Sequence, residues 1–344
     1  MSLQIIPKYI LHEFCKYLDK DSIYNFSICN KWLYAKISIY LGENFYMIVP
    51  KYKEIKSLKV KFSFKFLTKN YRKFIIHDLS RIENFNSLTN ITHLIFGFDF
   101  NQPVNLDCLT NLTHLTFGSY FNQPVNLDRL INLTHLTFGD GFNQPVNLDR
   151  LINLTHLTFG ENFNQTVNLD CLVNLTDLTF GYNFNQPANL DNLVNLKYLT
   201  LKREFNQHVT LNHLINLTHL TFKCYFNQNI NFDCLVNLTH LTFGHCFNQF
   251  VKLESLVNLT HLTFGHCFNQ PVNLDYLVNL THLTFGDGFN QPVNLDCLIN
   301  LTHLKFGSNF NQIISIKKLV NLEHIDLSYR YYFEEEDIPK KCKK

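Results

Sequence analysis

Hydrophobic and polar positions alternate in a phrase that recurs along most of this 344-residue chain. In the copy at 111–130 (NLTHLTFGSYFNQPVNLDRL), apolar Leu115 and Phe117 alternate with polar His114 and Thr116. A period of two predicts a short strand with one buried face. Phenylalanine followed by Asn-Gln returns at eleven positions between 100 and 310, always 21 residues apart. The chain is therefore predicted to build the same short strand many times.

The second half of the unit predicts turns. Gly118 ends the strand, Pro124 supports a turn, and Leu127 and Leu130 stand at i and i+3, which suits a 3₁₀ or irregular helical turn. About twelve units occupy 79–328 without an insertion, and the first and last are degenerate, as expected of caps that face water. This length and leucine spacing are close to those of leucine-rich repeats, so we expect a solenoid.

A histidine keeps the same slot in ten of the twelve units. Because the flanking Leu115 and Phe117 face the core, His114 must face outward, on the side that related solenoids use for binding. The alternative is that the histidines are a stack of imidazoles without a binding role, retained by duplication of the unit. The predicted partner-binding surface comprises His114, Thr116, His135, His156, Asp177, Tyr198, Lys202, Arg203, His219, His240, His261, His282 and His303.

The array changes most in its middle. Asp177 and Tyr198 replace histidine, and Lys202 and Arg203 stand in the neighbouring stretch LKYLTLKREFNQH (196–208). Units that differ from their neighbours are where a specific partner could be recognised, although drift in one repeat would produce the same pattern. The histidines that share this slot form a predicted ladder along the sheet. Like charges stacked at about 5 Å repel, so the pKa of each ladder histidine is predicted to fall below about 6.5.

Composition and charge exclude several classes of function. Hydrophobic residues make up 46% of the chain and charged residues 17%, which favours a folded protein. Residues 79–344 carry more acidic than basic side chains, so we expect no nucleic-acid partner. No apolar run approaches about 18 residues and residues 1–11 lack a signal-peptide pattern, so we expect no membrane partner and a cytoplasmic location, the host cytoplasm if the source is a virus.

The candidate chemistry of the chain is weak. Ladder imidazoles run parallel instead of converging on one metal ion, and no Cys-His pair has a positioned third group for catalysis. His245-Cys246 and His266-Cys267, within two copies of GHCF, are the best local pattern for a metal or a redox pair, yet copying explains them more simply. We therefore predict no enzyme activity, no catalytic residue, no metal and no cofactor. Four cysteines lie three units apart, about 14 Å, and are predicted to be reduced and half-buried: Cys108, Cys171, Cys234 and Cys297.

Two kinds of repeated asparagine also call for an explanation. Asn122 and its counterparts are expected to sit in turns where the side-chain amide satisfies backbone groups of the next unit, and Gln123 could do the same. The NLT and NIT copies form ten glycosylation-type sequons, but they are too crowded for ten glycans. A glycosylated extracellular recognition protein is therefore the least favoured alternative.

The Phe-Asn-Gln-Pro phrase makes residues 79–328 resemble the FNIP repeat, a leucine-rich-repeat relative of slime-mould proteins and of giant viruses of amoebae. Eleven copies in phase make this resemblance specific. The proline is replaced in five units, and we expect this to loosen a turn without changing the fold. The replacements are Thr166, His208, Asn229, Phe250 and Ile313.

The segment IPKYILHEFCKYLDKDSIYNFSICNKW (6–32) resembles the F-box. Ile10, Phe14 and Leu18 also share one face of a predicted helix. The resemblance implies binding to the Skp-type adaptor of a cullin-RING ubiquitin ligase, while the repeats hold the protein to be ubiquitinated. The alternatives are a helical cap on the solenoid, or a repeat scaffold without a ligase role. The predicted adaptor-binding residues are Ile6, Pro7, Ile10, Leu11, Phe14, Leu18 and Ile23.

The predicted fold class is thus an α+β repeat protein. It comprises a small helical F-box-like domain at 1–48, a linker or N-terminal cap at 49–78, a leucine-rich-repeat-like β-solenoid of about twelve 21-residue units at 79–328, and a C-terminal cap with a charged tail at 329–344.

Overall fold

The computed structural model describes residues 47–49, 73–76 and 85–327. Within them, fourteen short strands form one parallel sheet in which spatial order equals chain order. The strands are β1 (Met47–Val49), β2 (Lys73–Ile76), β3 (His93–Phe96), β4 (His114–Thr116), β5 (His135–Thr137), β6 (His156–Thr158), β7 (Asp177–Thr179), β8 (Tyr198–Leu201), β9 (His219–Phe222), β10 (His240–Thr242), β11 (His261–Thr263), β12 (His282–Thr284), β13 (His303–Lys305) and β14 (His324–Asp326).

Strand register follows the sequence period. Each strand from β4 to β14 pairs with the strand 21 residues earlier, so that identical slots are neighbours: His114 opposes His135, and Leu115 opposes Leu136. The solenoid prediction is confirmed, with β3 to β14 supplying about twelve turns. Upstream of these units β1 and β2 extend the same sheet, and Phe74 of β2 opposes Leu94 of β3.

The core is a continuous column of leucine side chains and phenylalanine rings. Phe117 and Phe121 stack within one turn of the solenoid at 4.2 Å between ring centroids, and each also stacks on its copy in the next turn. Leu127, Leu130 and Leu133 are buried beside them. Because each turn of the solenoid packs on its neighbours, burial of these rings is the main force that holds the array together.

The segment between strands forms hydrogen-bonded turns instead of a helix. The amide of Leu130 donates to the carbonyl of Leu127, and the amide of Leu133 donates to the carbonyl of Leu130, both at 2.9 Å. A 3₁₀ helix at Phe85–Ser87 is the one helix within the described residues. All proposed adaptor contacts, from Ile6 to Ile23, and residues 1–46 of the predicted helical F-box-like domain lie outside the described residues. The last two residues of that predicted domain, Met47 and Ile48, belong to β1.

Asparagine rows join successive turns of the solenoid, as predicted. Oδ1 of Asn101 accepts the backbone amide of Asn122 at 2.9 Å and Nε2 of Gln123 at 3.1 Å. The same pair of bonds recurs through the array as far as Asn290, whose Oδ1 accepts from Asn311 and Gln312. These bonds satisfy polar backbone groups that the turns leave without strand partners.

A column of glycines permits close stacking after the strands. A Cβ atom at Gly139 would overlap the carbonyl oxygen of Gly118, and a Cβ at Gly181 would overlap that of Gly160. Lys202 occupies this column in the turn that follows β8, where the strand is one residue longer. Each three-residue strand from β4 to β13 is followed by glycine in this column, whereas Lys202 and Lys223 follow the four-residue strands β8 and β9.

Candidate functional site

The predicted histidine ladder is a physical stack of imidazoles on the exposed face of the sheet. Neighbouring rings from His93 to His156 lie 4.0 to 4.1 Å apart with nearly parallel planes. A second run extends from His219 to His324, with spacings of 4.1 to 4.5 Å. The sheet register thus joins the predicted ladder residues into two runs.

A threonine before most of these histidines sets the proton position on the ring. The hydroxyl of Thr113 donates to the carbonyl of Thr92 at 3.0 Å and lies 2.9 Å from Nδ1 of His114. A hydroxyl has one hydrogen, so Nδ1 must be the donor in the second bond. The neutral imidazole therefore keeps its proton on Nδ1 and leaves Nε2 as a hydrogen-bond acceptor.

Seven of the ladder histidines have a lowered pKa, which favours the neutral imidazole. Burial, followed by repulsion from neighbouring imidazoles, lowers the pKa of His135 and of His261 to about 4. Burial also lowers the pKa of His93, His114, His219, His240 and His282. The sequence predicted this direction from charge repulsion, whereas the structure places burial first.

Two strands between the histidine runs carry different side chains. Asp177 of β7 lies with Oδ2 3.3 Å from Nε2 of His156 and accepts the hydroxyl of Thr176 at 2.6 Å. Tyr198 of β8 is exposed and packs at a tilt on His219, 4.6 Å between centroids. The face therefore changes from an imidazole stack to an acid and a phenol.

Lys202 and Arg203 were predicted to share this surface, but they lie in the turn that follows β8. Arg203 donates to the hydroxyls of Tyr182 and Tyr225, at 3.1 and 3.0 Å, and its guanidinium carbon lies 5.1 and 5.2 Å from their ring centroids. The two hydroxyls raise the pKa of Arg203. Tyr182 and Tyr225 are exposed and lie in the turns that follow β7 and β9, so a tyrosine-arginine-tyrosine clamp joins three successive turns on the surface.

An open polar groove runs beside the ladder and was missed by the sequence reasoning. Its first segment, about 990 Å³, is lined by residues from Asn111 to Asn216, and its second, about 780 Å³, by residues from Asn237 to Glu323. Threonines such as Thr134 and asparagines such as Asn132 alternate along it. The signal was present in the NLT copies, which the sequence analysis treated as sequons.

The sequon asparagines have a structural role in this groove. Nδ2 of Asn111 donates to the carbonyl of Thr89 at 2.8 Å, and Nδ2 of Asn132 donates to that of Thr110 at the same distance. The bond recurs to Asn321, which donates to the carbonyl of Ile299. The nitrogen that a glycan would modify is therefore engaged between neighbouring turns.

An exposed aliphatic row borders the groove and was also missed. One isoleucine or valine directly precedes each groove asparagine from Asn132 onward. The signal in the sequence was an aliphatic residue at a slot that the strand and turn pattern leaves outside the core. The exposed members are Ile131, Ile152, Val173, Val194, Ile215, Val236, Val257, Val278, Ile299 and Val320.

The cysteines agree only partly with the sequence prediction. Cys108, Cys171, Cys234 and Cys297 are free thiols, as predicted. Cys108 is half-buried, whereas the other three are exposed. The description of all four as half-buried was wrong.

The architecture defines the class of protein: a leucine-rich-repeat scaffold, a fold typical of protein–protein interaction. The chain is similar to CroV588, a giant-virus protein described as a novel circular leucine-rich-repeat structure, with 39% identity and a TM-score of 0.68 over 81% of this chain and 44% of that one. It is also similar to the functional domain of InlJ from Listeria monocytogenes, which includes a cysteine ladder (16% identity, TM-score 0.53, 74% and 61% covered).

A third similar structure is the ectodomain of the Arabidopsis thaliana receptor kinase GASSHO1/SCHENGEN3, solved in complex with CASPARIAN STRIP INTEGRITY FACTOR 2 (15% identity, TM-score 0.50, 77% and 42% covered). The chain thus spans less than two thirds of the length of each of these three proteins. No protein-family model and no curated protein matches the chain. Among the described residues, no helix has the length and hydrophobicity needed to span a bilayer.

Proposed function

We propose that the repeats bind a protein partner, and that the changed units around β7 and β8 determine which partner is bound. One observation carries this proposal. At β8 the buried Leu199 and Phe205 match their copies in other units, while exposed or partly exposed slots differ: Lys197 replaces threonine and Tyr198 replaces histidine. Tyrosine and arginine are also the side chains enriched where interfaces derive most of their binding energy.

The surroundings of these units suit a protein surface. The aliphatic row offers apolar contact, and the groove beside it offers amide and hydroxyl groups for hydrogen bonds. Nε2 of the ladder histidines adds acceptors that suit donors on a partner. The GASSHO1 ectodomain, solved in complex with its factor, supports the class of function through its fold alone.

The test restores the common sequence of the units. Lys197→Thr, Tyr198→His and Lys202→Gly together copy residues found in neighbouring units. A protein partner that co-purifies with the wild-type chain from the native cell should not co-purify with this triple variant. It should be kept by a matched control, Thr137→Ala with Thr158→Ala, on the uniform part of the same face. Equal recovery by the wild-type chain and the triple variant would show that the β8 unit does not determine which partner is bound.

A more specific role rests on the sequence resemblances. We propose that the repeats are of FNIP type and that residues 6–32 form an F-box, so that the chain acts as a substrate-recognition adaptor of a cullin-RING ubiquitin ligase in the cytoplasm. The order of box, linker and repeats supports this proposal. The alternative is a repeat scaffold that binds its partner without a ligase.

A purified Skp-type adaptor distinguishes the two. Leu11→Ala with Phe14→Ala should abolish adaptor binding and leave the circular dichroism of the repeats unchanged, because both side chains are proposed contacts. Arg203→Ala is the control and should bind the adaptor as wild type does. If the wild-type chain does not bind the adaptor, or if the double variant binds it with equal affinity, the ligase role is rejected and the scaffold alternative remains.

A further inference from the structure

Histidine and cysteine side chains from two neighbouring turns meet at one point on the edge of the solenoid. The turns after β9, β10 and β11 stack through backbone bonds: Cys246 donates to the carbonyl of Cys224 at 2.7 Å, and Cys267 donates to that of His245 at 2.8 Å. This stacking brings three potential ligand atoms, from His245, Cys246 and Cys267, within 4.8 Å of one another.

The distances fit a tetrahedral metal site. Nδ1 of His245 lies 3.8 Å from Sγ of Cys246 and 3.7 Å from Sγ of Cys267. A zinc ion with bonds of about 2.3 Å to sulfur and about 2.0 Å to nitrogen holds such ligand pairs about 3.5 Å apart. The two distances from Nδ1 of His245 are within a few tenths of an ångström of this value, and the two Sγ atoms lie within 4.8 Å of each other, so adjustment of these side chains would complete three of the four zinc bonds.

We propose that His245, Cys246 and Cys267 bind a zinc ion. Two thiolates and one imidazole are soft ligands, which favour Zn²⁺ over Mg²⁺ or Ca²⁺. His266 stacks on His245 at 4.6 Å, and its Nδ1 lies 3.2 Å from Oδ2 of Asp287, so it shields one side of the cluster. The fourth position is open to water or to a ligand from a bound partner.

The site links the turns that follow β10 and β11. Binding of the cation must displace protons from both thiols, and affinity should therefore increase with pH. From the sequence, His245-Cys246 and His266-Cys267 were the best local pattern for a metal, but copying explained them more simply and no metal was predicted. The register brings Cys267 of the next turn to His245.

Cobalt provides a spectroscopic probe of this site. The full chain, kept reduced, is titrated with Co²⁺, and the thiolate-to-cobalt charge-transfer absorption is recorded and then displaced with Zn²⁺. Cys246→Ser with Cys267→Ser should abolish the absorption. Cys171→Ser with Cys234→Ser removes two exposed thiols elsewhere in the repeats and should leave it unchanged. Circular dichroism checks that both variants are folded.

A second variant separates the cluster from simple thiol binding. His245→Gln keeps both cysteines and should weaken the affinity for Co²⁺ and Zn²⁺ on the order of tenfold or more, because it removes a direct ligand. The proposal is overturned if the wild-type chain gives no charge-transfer absorption, if the absorption survives in the first double variant, or if His245→Gln binds both metals as tightly as wild type.

Discussion

The uniform units at β4 to β6 and the changed units at β7 and β8 share one interior and differ in their surface. Leu178 and Leu199 are as buried as Leu136, and the asparagine row continues unbroken where Asn206 donates to Oδ1 of Asn185. The outward slots differ, with an acid at β7 and a phenol at β8. The buried and exposed halves of a unit can therefore change independently, because alternate residues of a strand face opposite sides.

The glycine column provides the largest test of this difference. Gly181→Ala should destabilise the fold by about 3 kcal/mol or more, because the added Cβ overlaps the backbone of the neighbouring turn, which cannot move aside alone. Lys202→Gly, in the same column, should cost only about 1 kcal/mol, from backbone entropy. Urea unfolding measures both. Similar losses for the two variants would show that the column imposes no glycine requirement.

Removal of whole units should have an intermediate effect. Deletion of residues 132–152, one uniform unit, should preserve cooperative folding with a lower unfolding midpoint, because each turn packs on its neighbours. It should also keep the bound partner. Deletion of residues 195–215, the unit of β8, should lower stability by a similar amount and lose the partner. Insoluble products from both deletions would contradict the linear arrangement.

Acid should destabilise the histidine runs. The folded pKa of His261 is about 4, below its ordinary value of 6.5. Its contribution to stability is therefore complete above pH 6.5 and declines as the pH falls towards 4, since the unfolded chain binds the proton first. Relative to wild type, His261→Asn should become more stable as the pH decreases through this window.

A variant at a residue that does not ionise is the control for the acid experiment. Thr242→Ala, on the same face, should differ from wild type by a constant amount of unfolding free energy at every pH. NMR titration of the imidazoles checks the cause. A His261 that titrates at 6.5 or above would contradict the stacked ladder.

The smallest expected effect on stability is at the tyrosine-arginine clamp. Arg203→Ala removes two exposed hydrogen bonds to Tyr182 and Tyr225, so the unfolding midpoint should hardly change, while binding of the partner decreases. Tyr182→Phe with Tyr225→Phe keeps the rings and should give a weaker loss of binding. A large decrease in stability would instead make the clamp a structural element of the solenoid.

Much of the fold follows from the sequence because the unit is short and repeats without insertions. The alternation at Leu115 and Phe117 predicted the strand, and the 21-residue period predicted the register that aligns His114 with His135. These are local rules, and copying applies them identically to every turn. Sequence also identified the changed residues Asp177 and Tyr198, since a difference between copies is visible without coordinates.

The tertiary structure alone decided which neighbours meet across turns. It placed Arg203 between Tyr182 and Tyr225, and it brought Cys267 to His245. At His135 and His261, burial lowers the imidazole pKa more than repulsion from the neighbouring rings does. The physical reason is that the period specifies which slots stack, whereas side-chain distances and burial depend on how the turns pack.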